Sequence, residues 1–238
     1  MKIHVLGIYG PFPAGNGATS GYLAEEAGTL VQFDLGSGIL SRLTARTAPE
    51  KLSAVFLSHW HFDHASDISL LMYRLQAVEA VLPVYAPKDE NSLLYRMVAE
   101  KECFRLSEIA PGDSVKVGNL TVQVGPARHP VPTVGFRVTG SDGAFGYTGD
   151  TNTLPSLPSF YRGCRLLLAD GLLTTAGWKE KKPHMSAALA AQLAADAGCD
   201  RLVITHLNPF TPPAVLLEEA RKEFRNVSLA AEGTTLTV

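Results

Sequence analysis

Three histidines and two aspartates crowd the eleven residues LSHWHFDHASD (57–67), at the end of the apolar run SAVFLS (53–58). Imidazoles and carboxylates are costly to bury without partners. The stretch is therefore either a hydrogen-bonded polar cluster, with Asp63 capping the helix that follows, or a metal site. In an extended turn, positions i and i+2 point to the same side, so His59 and His61 can chelate one ion. Asp63 and His64 come where the backbone turns into a helix, which aims them at a neighbouring point, and one short loop can then serve two ions. The polar-cluster reading leaves three histidines in six consecutive positions unexplained.

Seven histidines occur in all. His4 alternates with apolar neighbours in the first strand-like segment and reads as a surface or core residue without special role. The other six each fall in a loop after a strand-like segment. Strand AVFLS runs into His59, FGYTG into Asp150, LLLA into Asp170 and LVIT into His206. In layered α/β folds, ligands bind beyond the carboxyl ends of the strands, so these distant residues can converge at one edge.

The elements that must bring them there can be read coarsely. Residues 2–10 form a first strand, and residues 20–38 a hairpin turning near Ala27-Gly28. Residues 53–58 are a buried strand, and 64–80 show the helical spacing Ile68, Leu71, Met72, Leu75. Residues 82–87 are a strand and 89–101 a helix. From 114 to 150, β-branched alternation is punctuated by Gly-Asn and Asp-Gly turns. Strand 164–171 follows, then a helix over 186–198 with Ser186 as N-cap and Gly198 past its end. Strand 201–206, helix 212–224 and strand 226–230 complete the chain. With no linker, repeat or low-complexity stretch, this order predicts one α/β domain over residues 1–238, with two sheets face to face and helices outside.

At 238 residues and 46% hydrophobic content, with mean hydropathy +0.08, the chain can bury a real core. A formal charge of -2 and a pI near 6.4 exert no global pull on nucleic acid or anionic membrane, so phosphate recognition has to come from a local field. Cys103, Cys164 and Cys199 are few, odd in number and far apart, which fits reduced, structural thiols in a cytosol. The N-terminal residues lack a signal-peptide pattern, and no apolar run reaches the roughly 20 residues of a membrane span. The expectation is a cytoplasmic protein without membrane contact; a homodimer stays open.

The pattern H-x-H-x-D-H at 59–64, followed in order by a histidine in ARHPVP (His129), an aspartate in GYTGDT (Asp150) and a histidine in THLNP (His206), resembles the metallo-β-lactamase superfamily of dinuclear metallohydrolases. DLGSG (34–38) resembles its second-strand signature, and the likeness spans nearly the whole chain. It implies an αββα four-layer sandwich and two Zn²⁺ per chain, Mn²⁺ or Fe being compatible with the same donors. It further implies that His59, His61 and His129 hold one ion, Asp63, His64 and His206 the other, and Asp150 bridges both. Asp34 is expected to orient a ligand rather than to be one. Two divalent ions set against Asp63, Asp150 and a bridging hydroxide leave net positive charge, suited to an anion or to charge developing on oxygen.

The segment KKPHMSAALAAQLAADAG is similar to the HMS or HST element of ribonuclease Z, the tRNA 3'-processing endonuclease branch. In that branch the histidine assists the leaving oxygen and a glutamate orients it. Here the matching residues are His184 and Asp170, the acid shortened by one methylene. Lys179, Lys181 and Lys182 form either a phosphate rim beside His184 or a solvated loop. Ribonuclease Z proper carries a tRNA-gripping arm between the third histidine and the bridging aspartate, whereas His129 and Asp150 are joined here only by one hairpin turning at Ser141-Asp142-Gly143. The resemblance thus implies an armless phosphodiesterase with a small anionic or phosphodiester substrate. The metal-bridging hydroxide would be its nucleophile, Asp63 would position it, and His184, set by Asp170, would assist departure. A carbonyl hydrolase of lactonase or thioesterase type, a tRNA endonuclease acting on RNA, and a non-enzymatic metal-binding scaffold are the alternatives, in falling order.

Overall fold

The computed structural model describes residues 1–238. Two seven-stranded sheets make its centre. The first is built from β1 (Lys2–Gly7), β2 (Gly21–Glu26), β3 (Thr29–Phe33), β4 (Ala54–Phe56), β5 (Leu82–Ala86) and β6 (Phe104–Glu108), with β14 (Thr235–Thr237) at the β1 edge. The second contains β7 (Ser114–Val117), β8 (Leu120–Pro126), β9 (Val134–Thr139), β10 (Ala144–Tyr147), β11 (Leu166–Asp170), β12 (Arg201–Thr205) and β13 (Val227–Leu229), in the order β13-β12-β11-β10-β9-β8-β7. In each sheet the hairpin-connected strands pair antiparallel and the strands linked through helices pair parallel. The β2–β3 turn falls at Ala27 and Gly28, both with positive φ (46° and 83°), the backbone twist a two-residue hairpin requires.

Alternation along the strands decides which side chains meet. Phe33, Phe56, Phe136, Phe145, Tyr22 and Tyr147 are all fully buried between the sheets, with Phe33 stacked on Phe56 and tilted against Phe136. The intervening residues of the first sheet, such as Val55 and Val84, point outward into a second apolar cluster under α1 (Ile39–Thr44), α3 (Ile68–Ala77) and α4 (Leu93–Glu100). On the far face, α6 (Ala187–Asp196) lies on β11 and β12 and against α7 (Pro213–Glu223). Alanines at 187, 190, 191 and 194 are buried there, and their small size lets the helix approach the sheet closely. The result is the expected αββα four-layer sandwich.

Several boundaries differ from the sequence reading. The first strand stops at Gly7 because Ile8 and Tyr9 donate to the Ala18 carbonyl instead of continuing the ladder. The expected helix 64–80 is two pieces, α2 (Phe62–Ala65) and α3, since the His64 carbonyl accepts from Leu35 N and Asp67 N donates to the Leu35 carbonyl. α4 starts only at Leu93, where Ser92 Oγ accepts from Tyr95 N. Unread from sequence were α1, β6, β14 and the single turn α5 (Leu157–Phe160). No helix is long and apolar enough to cross a membrane.

Candidate metal centre

The C-terminal strand ends of both sheets face one cleft. Asp34 follows β3, the 59–64 loop follows β4, Asp150 follows β10, Asp170 ends β11, and His206 follows β12. Asp34 and His206 both take positive φ (52° and 56°), a conformation that non-glycine residues hold only where surrounding contacts enforce it. Gly10 passes so close to His206 that a Cβ there would lie 1.9 Å from Nε2.

Two groups of donors meet across Asp150, and Asp150 with Asp170, His184 and His206 makes a third. In the first, His61 Nδ1 lies 3.0 Å from His59 Nε2 and 3.2 Å from His129 Nε2, and Asp150 Oδ2 is 3.7 and 4.0 Å from the latter two atoms. In the second, Asp63 Oδ2 lies 3.2 Å from His206 Nε2 and 3.7 Å from His64 Nε2; Asp150 Oδ1 is 3.1 Å from His64 Nε2 and 3.5 Å from His206 Nε2. Tetrahedral ligands at about 2.0–2.1 Å from zinc stand about 3.4 Å apart, so these spacings fit an ion in each group. The bonding of the buried atoms agrees: His64 Nε2 and Asp150 Oδ1, although 3.1 Å apart, make no hydrogen bond to each other or to any other group, and leaving such buried atoms without one is costly. Imidazole and carboxylate without thiolate suit zinc.

The surroundings orient the donors. Asp34 is fully buried and accepts from Ser58 N (2.7 Å), Ser58 Oγ (2.8 Å) and the Tyr147 hydroxyl (2.5 Å), while His64 Nδ1 lies 2.6 Å from it. That contact turns His64 Nε2 into the cleft. Burial drives the His59 imidazole well below its usual range and His129 down to about 4, so both stay neutral and able to ligate. Burial also works against charge on His64 and His206, but the carboxylates prevail: Asp150 with Asp34 holds His64 well up, and Asp150 with Asp170 and Asp63 raises His206 to about 10. Protons thus occupy the places of cations, which metal binding displaces.

Asp170 and His184 meet despite the shortened acid, with Nδ1 2.8 Å from Oδ2. Burial opposes the His184 charge, yet Asp170 raises its pKa. The ring stacks on His206 at 5.0 Å between centroids. The structure therefore brings together all nine residues singled out by sequence as ligands or catalytic groups. Lys179, Lys181 and Lys182 are exposed on the loop that ends at His184. His4 sits apart, bonded to Glu25 and Thr235. Sequence reasoning missed Ser58, Tyr147 and Asn152; Ser58 and Asn152 adjoin the ligand motifs, and that adjacency was the available signal.

A family model for the beta-lactamase superfamily domain matches residues 31–207. The probable metallo-hydrolase YhfI of Bacillus subtilis is 33% identical, covering 98% of both chains. The chain belongs to this superfamily. The crystal structure of YhfI, a metallo-β-lactamase fold protein, superposes with a TM-score of 0.93 at 31% identity over 99% of this chain and 98% of that one. Within the superfamily the chain is ribonuclease Z-like: ribonuclease Z of Methanopyrus kandleri is 27% identical over 100% of this chain and 98% of its own. The short form of human tRNase Z, at 18% identity, shares the fold with a TM-score of 0.81 over 100% and 99% of the two chains.

Proposed function

We propose that this metal-dependent hydrolase is a dinuclear zinc phosphodiesterase. His59, His61 and His129 would hold one ion, Asp63, His64 and His206 the other, and Asp150 both. Bound there, the pair supplies Lewis acidity that activates a water and polarises the attacked group. Everything else is done by the chain. Asp63, at the cleft edge of its group, orients the attacking water. His184, its Nδ1 engaged by Asp170, presents Nε2 to the cleft. The attacking water gives up one proton to solvent; as its oxygen bonds to phosphorus, the bond to the leaving oxygen breaks and the Nε2 proton passes to that oxygen. Asp170 keeps the ring in place and balances its charge.

The observation that carries this reading is the His184–Asp170 pair, 2.8 Å apart. The pair is not among the six residues that would hold the ions with Asp150, although it meets Asp150 and His206 in a third group of close donor atoms. Such an acid matters most where an alkoxide must leave. The relatives named ribonuclease Z support phosphodiester chemistry, while the β9–β10 hairpin leaves no room for a tRNA-gripping arm between His129 and Asp150, which favours a small diester. The chain is read as one domain acting in the cytoplasm. The test is a panel on zinc-reconstituted protein: bis(p-nitrophenyl) phosphate and a cyclic nucleotide against a p-nitrophenyl ester, a lactone and a precursor tRNA. Small phosphodiesters should have the highest kcat/KM; a higher value for the ester or lactone would replace this reading with carbonyl hydrolysis.

A further inference from the structure

Residues 171–185, between β11 and α6, contain no helix and only an isolated bridge from Leu173 to Ser186. Much of this strap is exposed, including Thr175 to Gly177 and Lys179 to Lys182. Yet it must deliver His184 to hydrogen-bond distance of Asp170. Asp170 holds the ring through Oδ2 and the start of the strap through Oδ1, which accepts from Leu172 N (3.1 Å), but it makes no hydrogen bond to the backbone just before His184.

After His184 the strap is fixed by Leu173 N donating to the carbonyl of the buried Met185 (3.2 Å); before His184 the backbone is held largely by one side chain. Asn152 is fully buried, two residues after Asp150. Its Nδ2 donates to the carbonyls of Glu180 (3.2 Å) and Lys182 (2.6 Å). Its Oδ1 accepts from Trp178 Nε1 (3.1 Å) and from Thr153 N (2.7 Å). Both amide protons and both carbonyl lone pairs are therefore used, three of the four on the strap. Neighbouring contacts repeat the pattern: Asn152 N donates to the Arg128 carbonyl (3.0 Å), and the Arg128 guanidinium to the Glu180 carbonyl (3.1 Å). His129 Nδ1 lies 3.4 Å from the Pro183 carbonyl. The asparagine amide offers two donors and two acceptors in one plane. A carboxylate of the same shape would keep the Trp178 contact and set oxygen against both strap carbonyls.

We propose that Asn152 is a positioning residue: by clamping the strap at Trp178, Glu180 and Lys182 it places His184 against the leaving oxygen. The inference rests on the role given to His184 above. It makes the segment GDTN a single device, with Asp150 among the donors and Asn152 aligning the proton source two residues on. A 1 Å misplacement of a catalytic group can cost about 10²-fold, and that is the expected loss.

The test compares Asn152→Asp and the milder Asn152→Ser with wild type and His184→Ala, all zinc-reconstituted. Two substrates separate positioning from general damage: a diester that expels p-nitrophenolate, which leaves without a proton, and one that expels an alkoxide. Both Asn152 variants should lose kcat on the alkoxide diester, about 10²-fold for the aspartate, with under about 3-fold change on the p-nitrophenyl diester and unchanged zinc content. Independently of activity, trypsin should cut the variants after Lys179 and Lys181 at least about tenfold faster than wild type, as expected of a loop released from its anchors. Equal losses on both diesters, loss of zinc, or unchanged strap proteolysis would overturn the proposal. If His184→Ala itself shows no preference for the alkoxide diester, the reading of His184 fails instead. Proteolysis still reports on the clamp.

Discussion

The floor of the cleft and the strap over its edge both present histidines to the same space, by opposite means. On the floor, His59, Asp150 and His206 stand on the ends of β4, β10 and β12, within sheets whose aromatic interior is fully buried. Position there comes from backbone ladders and packing, with Asp34 aiming the His64 ring. The strap has only the Leu173–Ser186 bridge, and exposed lysines precede its functional residue; before His184 its position comes mainly from side-chain hydrogen bonds to Asn152 and Arg128. A site that must hold cations needs the first kind of support. A proton donor needs only correct placement and can be carried by the second.

This contrast is broken most severely at Asp150. Asp150→Ala removes the atom pair facing both donor groups and should leave less than one zinc per chain by elemental analysis. Phosphodiester turnover should fall by at least about 10³-fold, as activation of water by the ions is lost. On the strap, His184→Ala should keep its full metal complement while turnover of an alkoxide diester falls by about 10²–10⁴-fold, the range of a general acid. If the alanine variant loses its metal, strap and floor are one unit. Asp34→Asn sharpens the account of the floor: replacing the acid that aims His64 should weaken zinc binding by about 10–100-fold in a chelator competition, with little change in far-UV circular dichroism. The smallest effect concerns the packed interior. Burial pushes the Cys164 and Cys199 thiols up to about 11 and about 12. At pH 8 their thiolate fraction is then about one in a thousand or less, so neither should react with a thiol reagent in the native state, and reaction should appear on unfolding.

The floor was legible in sequence because its chemistry is local. Histidines at 59, 61 and 64 are spaced by the geometry of one loop, and Asp150 and His206 each terminate an apolar run that reads as a strand. Asp34 was legible as a motif, but its contacts with Ser58, His64 and Tyr147 depend on β3 lying beside β4 and facing β10, which no local pattern reports. The position of Asn152 beside Asp150 was a signal, but its contacts were illegible for the same reason, since its strap partners stand 26, 28 and 30 positions away. The break between α2 and α3 comes from Leu35, about thirty positions upstream, competing for backbone hydrogen bonds that apolar spacing alone assigns to one continuous helix. Single-turn and three-residue elements such as α5 and β14 carry too few side chains for a periodic signal.

The central claim is that phosphodiester cleavage depends on ions held by the donors around Asp150. Its most direct test is turnover of bis(p-nitrophenyl) phosphate measured against zinc counted in the same sample, as metal-free protein is titrated. Activity should be absent without zinc, should reach its maximum near two ions per chain, and should not be restored in Asp150→Ala by equal zinc. Undiminished turnover by metal-free Asp150→Ala protein would contradict the account.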